Sequence, residues 1–454
     1  MSELLQEDTK VLPAMEMAKL ASPAKATKKK VAVAMVSNEP TPYRLHVLDR
    51  LANELHEADV YNIFTDTIAK PSVPWKIELG PHMRPVFFPN YALDRKRISW
   101  RAVALFFKIR DFLVEHDVKM IILLGYNDLC RALLIRWADK KGIPLVLAAD
   151  SNVFAEGRIP LAKRLIKRIY IRWILDRIKG LMPMGSCGRA YFRLYKDHNL
   201  PEFIFPYEPD YSTLWFYKDE EVAEFQRKYN LAPMRRRLLY CGRLVPVKRV
   251  DLLIKSFVAI AAQRPTWDLV IAGDGPLRKE LEAMVPAHLR DRVKWLGFLQ
   301  FNEAAICYRA CNVLVHPAEY EPWGLVVIEA VACEIPIVTT SVCGAAVEVV
   351  KHNVNGLIVP PRSQEALTEA IREITIGQRA HEMSWPCAAM LEAWRRQADP
   401  IDSAREALRH FRLIDSEREF KTVCEDLWRP RGRRNYGVPP EADVSPEADG
   451  PPAT

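Results

Sequence analysis

The stretch from His316 to Ala330 constrains this chain most, because with the apolar runs on either side it sets a short apolar stretch, a polar turn and a longer apolar stretch one after another. Asn312 to Val315 has the length of a buried parallel strand, and Leu325 to Cys333 has the length and apolar density of a buried helix. Strand, loop and helix in that order make the unit of a parallel sheet covered by helices. Pro322 and Gly324 stand where the helix begins, so the backbone N–H groups of Gly324, Leu325 and Val326 are expected to point unpaired out of its N-terminus. Such groups favour an anion, helped by a helix dipole worth roughly half a positive charge, and a diphosphate fits. Glu321 precedes those amides and Glu329 lies eight positions further on, so the two carboxylates can hold opposite ends of one ligand. Carboxylates accept hydrogen bonds from sugar hydroxyls, which suggests Glu321 on a transferred sugar and Glu329 on a ribose. A solvated loop Glu and a helix-turn Glu that favours the dipole would give the same pattern.

Two more stretches bear on that choice. Leu238-Leu239-Tyr240-Cys241-Gly242-Arg243-Leu244-Val245-Pro246-Val247-Lys248-Arg249 reads as a strand, then a turn carrying Arg243 and Lys248, then the start of a helix at Val250 to Phe257. Val270-Ile271-Ala272-Gly273-Asp274-Gly275-Pro276 is a second strand end with a Gly-rich turn. Together with the Glu321 to Glu329 segment, these resemble the retaining nucleotide-sugar glycosyltransferases of family 4, which have the GT-B fold: two Rossmann-like βα domains facing each other across a cleft. The resemblance covers about residues 236 to 360 closely, through Gly344, Glu348 and Asn355 to Pro360, and the N-terminal half loosely.

The resemblance implies that Arg243 and Lys248 grip the donor diphosphate, Glu321 the donor sugar and Glu329 the ribose. The amides of Gly324, Leu325 and Val326 would complete the phosphate site, with the Gly273 turn beside it and Leu296-Gly297-Phe298 as the loop on the base side. Fixed cations and helix amides can stabilise the charge gathering on a leaving nucleoside diphosphate. No Asp-x-Asp pair occurs, so metal independence is expected: no metal site, and no cofactor beyond the nucleotide diphosphate-sugar as co-substrate.

At 454 residues, 49% apolar and 27% charged, the chain has the composition of a globular protein of about two to three domains. Nine cysteines without a Cys-x-x-Cys argue against a zinc site and suit a reducing compartment. No stretch approaches the ~20 apolar residues of a membrane span, and the N-terminus lacks a signal-peptide core, so a cytoplasmic location is expected. Alternating apolar runs and helical patterns divide the chain into a tail over 1–30, an acceptor-side domain over 31–205 and a nucleotide-sugar domain over 206–375. A helical extension over 376–429 contains Trp385, Trp394 and Trp428, and a Pro-rich, acidic tail over 430–454 is expected to be disordered.

In the first domain the loop Ser37 to Arg44 leads into a helix expected from about Leu45, which makes Tyr43 and Arg44 candidates for contact with phosphate or acceptor, or else parts of a rigid two-proline turn. Asp150-Ser151-Asn152 ends the strand Pro144 to Ala149, where many relatives carry a His near the reacting sugar. Asp150 is a candidate acceptor-hydroxyl contact or weak base, or a helix or turn cap. From Arg158 to Lys179, cations including Lys163, Arg164, Lys167 and Arg168 interleave with Leu165, Ile166, Ile169, Trp173 and Ile174, and Arg95-Lys96-Arg97 before Trp100 to Phe112 shows a related mixture. These are either core-facing helices with solvated cations or a docking surface for an anionic membrane that presents a lipid-linked acceptor. The expected function is therefore transfer of a sugar to a glycan or lipid-linked acceptor. The alternative is a donor-binding module that no longer transfers. Nucleic acid is not expected as a partner, and an NAD-dependent dehydrogenase would need a Gly-x-Gly-x-x-Gly after a strand, which neither half has.

Overall fold

The computed structural model describes residues 30–66, 75–88, 99–158 and 160–414. The tails, Arg95-Lys96-Arg97, Trp428 and the rest of the extension beyond 414 lie outside these residues.

The first βα unit runs β1 (Val31–Ser37), α1 (Pro42–Glu54), β2 (Ala58–Phe64), β3 (Arg84–Phe87), α2 (Trp100–Glu115), β4 (Met120–Leu124), α3 (Leu129–Lys141), β5 (Leu145–Ala149), α4 (Leu161–Leu175), β6 (Gly180–Pro183) and α5 (Gly185–Arg193). The second begins with two helices, α6 (Tyr211–Trp215) and α7 (Asp219–Lys228). It continues through β7 (Arg236–Cys241), α8 (Val250–Ile260), β8 (Trp267–Ala272), α9 (Arg278–Ala283), β9 (Val293–Gly297), α10 (Phe301–Arg309) and β10 (Val313–His316). Then come α11 (Leu325–Ala332), β11 (Ile337–Thr340), α12 (Gly344–Val349), β12 (Gly356–Val359) and α13 (Gln364–Ile374), followed by α14 (Arg379–Ser384), α15 (Cys387–Arg395) and α16 (Pro400–His410).

Each unit holds a 6-stranded sheet, ordered β3-β2-β1-β4-β5-β6 and β12-β11-β10-β7-β8-β9, and every pairing is parallel. The strands read as continuous apolar runs because both faces are covered. Successive residues point to opposite faces: Leu238 and Tyr240 pack among α8 and α13, while Leu239 packs among α10, α11 and α12. In each sheet the strand order reverses once, between β1 and β4 and between β10 and β7. Loops diverge at such a switch point and leave a crevice at the carboxyl ends of the strands.

Local chemistry sets the ends of the elements. Asp128 caps α3 by accepting from the Arg131 amide at 2.9 Å, and Gly142 closes the helix in the left-handed conformation. Arg131 is buried below the sheet edge, where it donates to Leu124 O at 3.1 Å and to Asn38 Oδ1 at 2.5 Å, tying the loop after β1 to the end of β4. The first helix departs from expectation. It starts at Pro42, whose fixed φ suits the first helical position, so Tyr43 and Arg44 lie in the first turn of α1 and not in a loop.

The chain ends its described course back on the first unit. Ile401, Ala404, Ala407 and Leu408 of α16 join the core formed with Leu45, Leu48 and Leu51 of α1, where full burial of each large side chain contributes about 1.5–3 kcal/mol. Ser403 Oγ donates to Ile204 O at 2.5 Å, and Asp399 pairs with Arg50 at 3.0 Å. Arg50 also pairs with the buried Glu208 in the segment joining the two units.

The apolar residues of α4 are divided between two faces. Ile171 and Ile174 are fully buried, whereas Leu165, Ile166 and Ile169 are 62–70% exposed. The single face expected from Leu165 through Ile174 is therefore corrected: Ile174 belongs to the core, and Trp173 packs against Tyr170. Three of its cations are also engaged, since Lys167 pairs with Glu156 at 2.7 Å, Arg164 donates to Glu156 O and Arg172 donates to Tyr195 O. On α2, Trp100, Phe107 and Val114 form an exposed stripe at two-turn spacing. Among the described residues no helix is long and apolar enough to cross a membrane.

Candidate active site

The carboxyl ends of β7, β8, β9 and β10 converge on one crevice. Their backbones approach closely: Gly273 N donates to Gly297 O at 2.7 Å, and a Cβ on Gly273 would lie 1.9 Å from Gly242 O. Only glycine fits there. Gly324, with φ of +91°, precedes α11, and a Cβ on it would meet Cys343 Sγ at 2.6 Å. No side chain caps α11, and among the described residues no acceptor takes the amides of Leu325 and Val326. The helix therefore opens with free donors, as an anion site requires.

Lys248 and Glu321, which flank the switch point between β7 and β10, form an ion pair at the centre of the crevice. The Lys248 side chain is 14% exposed and that of Glu321 is 12% exposed. Beneath them His316, the last residue of β10, directs Nε2 to Glu321 Oε2 at 3.1 Å. Burial alone would raise the Glu321 pKa, but the His316 hydrogen bond and the Lys248 charge outweigh it and hold the carboxyl down at about 2. Arg243 stands exposed at the rim, with no acidic partner among the described residues.

Glu329 lies deeper. It is buried on α11, and its Oε2 accepts from the Tyr308 hydroxyl at 2.6 Å. Burial pushes its pKa up to about 7, opposed by that hydrogen bond. On the far side of the crevice Phe298 packs edge-on against Trp75, with ring centroids 4.8 Å apart, and Gln300 accepts from the Lys76 amide at 3.2 Å.

The first unit closes over this edge. Asn152 is buried, and its Nδ2 donates to Pro322 O at 3.1 Å and to Glu321 O at 3.3 Å. The loop carrying Asp150 is thereby fastened to the turn carrying Glu321. Asp150 itself opens to the crevice; partial enclosure by the protein raises its pKa, Arg44 opposes that rise, and Glu321 adds to it. Arg44 donates to the Tyr207 hydroxyl at 3.1 Å, and the Tyr207 carbonyl accepts from Trp323 Nε1 at 2.8 Å. Glu348 of α12 accepts from the amide and the hydroxyl of Ser186, at 2.7 and 2.6 Å, at the start of α5.

The structure thus gathers Arg243, Lys248, Gly273, Gly297, Phe298, Glu321, Gly324, Leu325, Val326 and Glu329 along one sheet edge, with Asp150 facing them. The sequence alone gives no role to His316, Asn152, Tyr207 or Trp323. A His closing an apolar strand reads as core, and the other three reach across the crevice through contacts distant in sequence. Among the described residues no three of His, Cys, Asp and Glu cluster as a metal would need. The crevice offers two cations and a helix N-terminus for an anionic leaving group, with a fixed carboxylate alongside for hydroxyls.

Comparison with known proteins places this crevice in a family context. The family described as glycosyl transferases group 1 matches residues 221–384. An uncharacterized glycosyltransferase of Methanocaldococcus jannaschii is 33% identical over 172 residues, 38% of this chain and 43% of that protein, so the match spans less than half of that relative's length. The GDP-mannose-dependent alpha-(1-6)-phosphatidylinositol monomannoside mannosyltransferase of Mycobacterium tuberculosis is 30% identical over 284 residues, 60% of this chain and 70% of that protein. Among solved structures, sucrose-phosphate synthase from Thermosynechococcus elongatus superposes with a TM-score of 0.66 at 21% identity, over 85% of this chain and 99% of that one. The two facing parallel-sheet units are the GT-B fold.

Proposed function

The chain belongs to the group 1 glycosyl transferases, and from that premise we propose that it moves a sugar from a nucleoside diphosphate-sugar to an acceptor hydroxyl, retaining the anomeric configuration and using no metal ion. The observation that carries this reading is the Lys248–Glu321 pair set before the free amides of α11.

In the reaction the bond between the anomeric carbon and the diphosphate oxygen breaks while the acceptor oxygen bonds to that carbon, and the acceptor proton passes to the departing phosphate. Lys248, Arg243 and the amides of Leu325 and Val326 take up the charge gathering on the diphosphate, the task a divalent ion would otherwise perform. Glu321 accepts hydrogen bonds from the donor sugar, and Glu329 accepts from the ribose. An acceptor delivered from the Asp150–Asn152 loop, which lies against the Glu321–Pro322 turn, approaches from the side on which the diphosphate leaves. Transfer on that side retains configuration, with Asp150 in contact with the incoming hydroxyl. Product NMR with the donor sugar in excess EDTA tests both points. A product of inverted configuration would refute retention, and activity abolished by EDTA but restored by Mg²⁺ or Mn²⁺ would refute metal independence.

The acceptor is lipid-linked in this proposal and is met at an anionic membrane surface. Supporting it are the exposed Leu165, Ile166 and Ile169 beside the exposed Lys163 and Arg168 on α4, the Trp100, Phe107 and Val114 stripe on α2, and the lipid acceptor in the name of the mycobacterial relative. Both helices begin near the carboxyl edge of the first sheet, the edge fastened to the crevice through Asn152. Co-sedimentation with phosphatidylglycerol vesicles at low salt should fall when Leu165, Ile166 and Ile169 become Ser or when Lys163 and Arg168 become Glu. Unchanged sedimentation of both variants would refute the docking surface.

A further inference from the structure

Glu321 carries two donors on a single oxygen. Its Oε2 accepts from His316 Nε2 at 3.1 Å and pairs with Lys248 Nζ, while among the described residues Oε1 takes no donor. The two partners differ in mobility. Lys248 ends a flexible stem on the loop after β7, and its partner Glu321 packs beside Gly324 at the N-terminus of α11, where a diphosphate would sit. His316 is 1% exposed, its ring lies parallel to that of Tyr240, and its carbonyl accepts from Thr339 Oγ1 at 3.1 Å. An ionised carboxylate can only accept, so Nε2 must carry the hydrogen. Nδ1 is buried and has no partner among the described residues, so a second proton there would be buried without an acceptor. The imidazole is therefore a neutral, fixed donor, and burial lowers its pKa to the same end.

We infer that donor binding transfers Lys248 from Glu321 to the diphosphate, and that His316 then holds Glu321 alone, so that the released carboxylate can accept from the donor sugar. This rests on the donor reading above, and makes His316 a positioning residue that acts through Glu321. The physical requirement is plain. A carboxylate that is 12% exposed and loses its only cation needs another donor, or it is left charged and unheld.

The test compares wild type with His316→Phe, which keeps a flat ring but no donor, and His316→Gln, whose amide nitrogen reaches the position of Nε2. UDP, GDP and ADP probe the diphosphate site by calorimetry, and UDP-glucose, GDP-mannose and ADP-glucose probe the sugar by calorimetry and turnover. The expected result is unchanged nucleoside diphosphate affinity in His316→Phe, loss of the added affinity due to the sugar, and turnover down about 10- to 100-fold, as for a lost hydrogen bond to a charged group. His316→Gln should recover most of both. Equal turnover in wild type and His316→Phe, equal loss of nucleoside diphosphate affinity, or no recovery by Gln would each overturn the inference. Wild type that binds none of the nucleotides or nucleotide sugars would overturn the donor reading, and the inference with it. Should the Phe variant fail to fold, ¹⁵N-histidine NMR of the wild type decides, with the signal assigned through His316→Gln. The Nε2–H resonance must persist when UDP or GDP is added, and its loss would overturn the inference.

Discussion

Replacing Glu329 with Gln should stabilise the protein above neutral pH and weaken its hold on a nucleotide. The carboxyl is buried against Tyr308, and its pKa rises from the ordinary 4.5 to about 7 on folding. Between those values the folded state holds a proton that the unfolded state has released, so stability declines as pH rises from about 4.5 to about 7 and then levels off. The rise from 4.5 to about 7, at about 1.4 kcal/mol for each tenfold change in proton affinity, sets a ceiling of about 3 kcal/mol for the loss. Gln carries no titrating proton, and its carbonyl can still accept from Tyr308. The midpoint of thermal denaturation should therefore run closer to wild type at pH 5 and lie higher in the variant at pH 8, by at most about 6–12 °C, taking about 2–4 °C per kcal/mol for a domain of this size. The same variant should bind UDP or GDP more weakly, because an amide carbonyl is a poorer acceptor for ribose hydroxyls than a carboxylate. A wild-type to variant difference that stays flat from pH 5 to pH 8 would refute the burial argument.

Arg243→Ala and Lys248→Ala should each lose roughly 10²–10³ in turnover while remaining folded, since each removes a charge aimed at the leaving diphosphate. Near-wild-type rates in both would contradict the assignment. Glu321→Ala should impair transfer but spare nucleoside diphosphate binding, and calorimetry with UDP or GDP that shows equal losses of affinity in Glu321→Ala and Glu329→Ala would remove the division of roles. Asn152→Ala leaves the Glu321 and Pro322 carbonyls without their donor from the opposite domain, so turnover should fall about tenfold with nucleoside diphosphate affinity unchanged. A parallel fall in affinity would show that Asn152 shapes the donor site itself and does not merely fasten the two domains together.

Much of the fold is legible in the sequence because parallel strands buried on both faces must be short apolar runs, and β10 and α11 lie close to where those runs place them. The start of α1 is less legible: a proline pair reads as a loop, but Pro42 serves equally as the first helical residue. On α4 periodicity identifies an apolar helix without telling which apolar face meets the sheet, and Ile171 with Ile174 takes that place over Leu165 with Ile166. The phosphate-side residues stand out because Arg243, Lys248, Glu321 and the Gly324 amides sit in loops after strands, where side chains are free for ligands. Partnerships across the crevice do not stand out. Asn152 with Pro322, Arg44 with Tyr207 and Ser186 with Glu348 join residues more than a hundred positions apart, and no local pattern encodes them.

The central claim, that the carboxyl edge of the second sheet holds a nucleoside diphosphate-sugar, is tested most directly by thermal shift of the wild type and Lys248→Ala across UDP, GDP and ADP sugars. A donor at a hundred times its dissociation constant stabilises the folded state by about 2.7 kcal/mol. The account predicts that at least one sugar nucleotide raises the wild-type midpoint, and that this rise shrinks or disappears in Lys248→Ala. No shift with any of them, or an equal shift in both proteins, would contradict it.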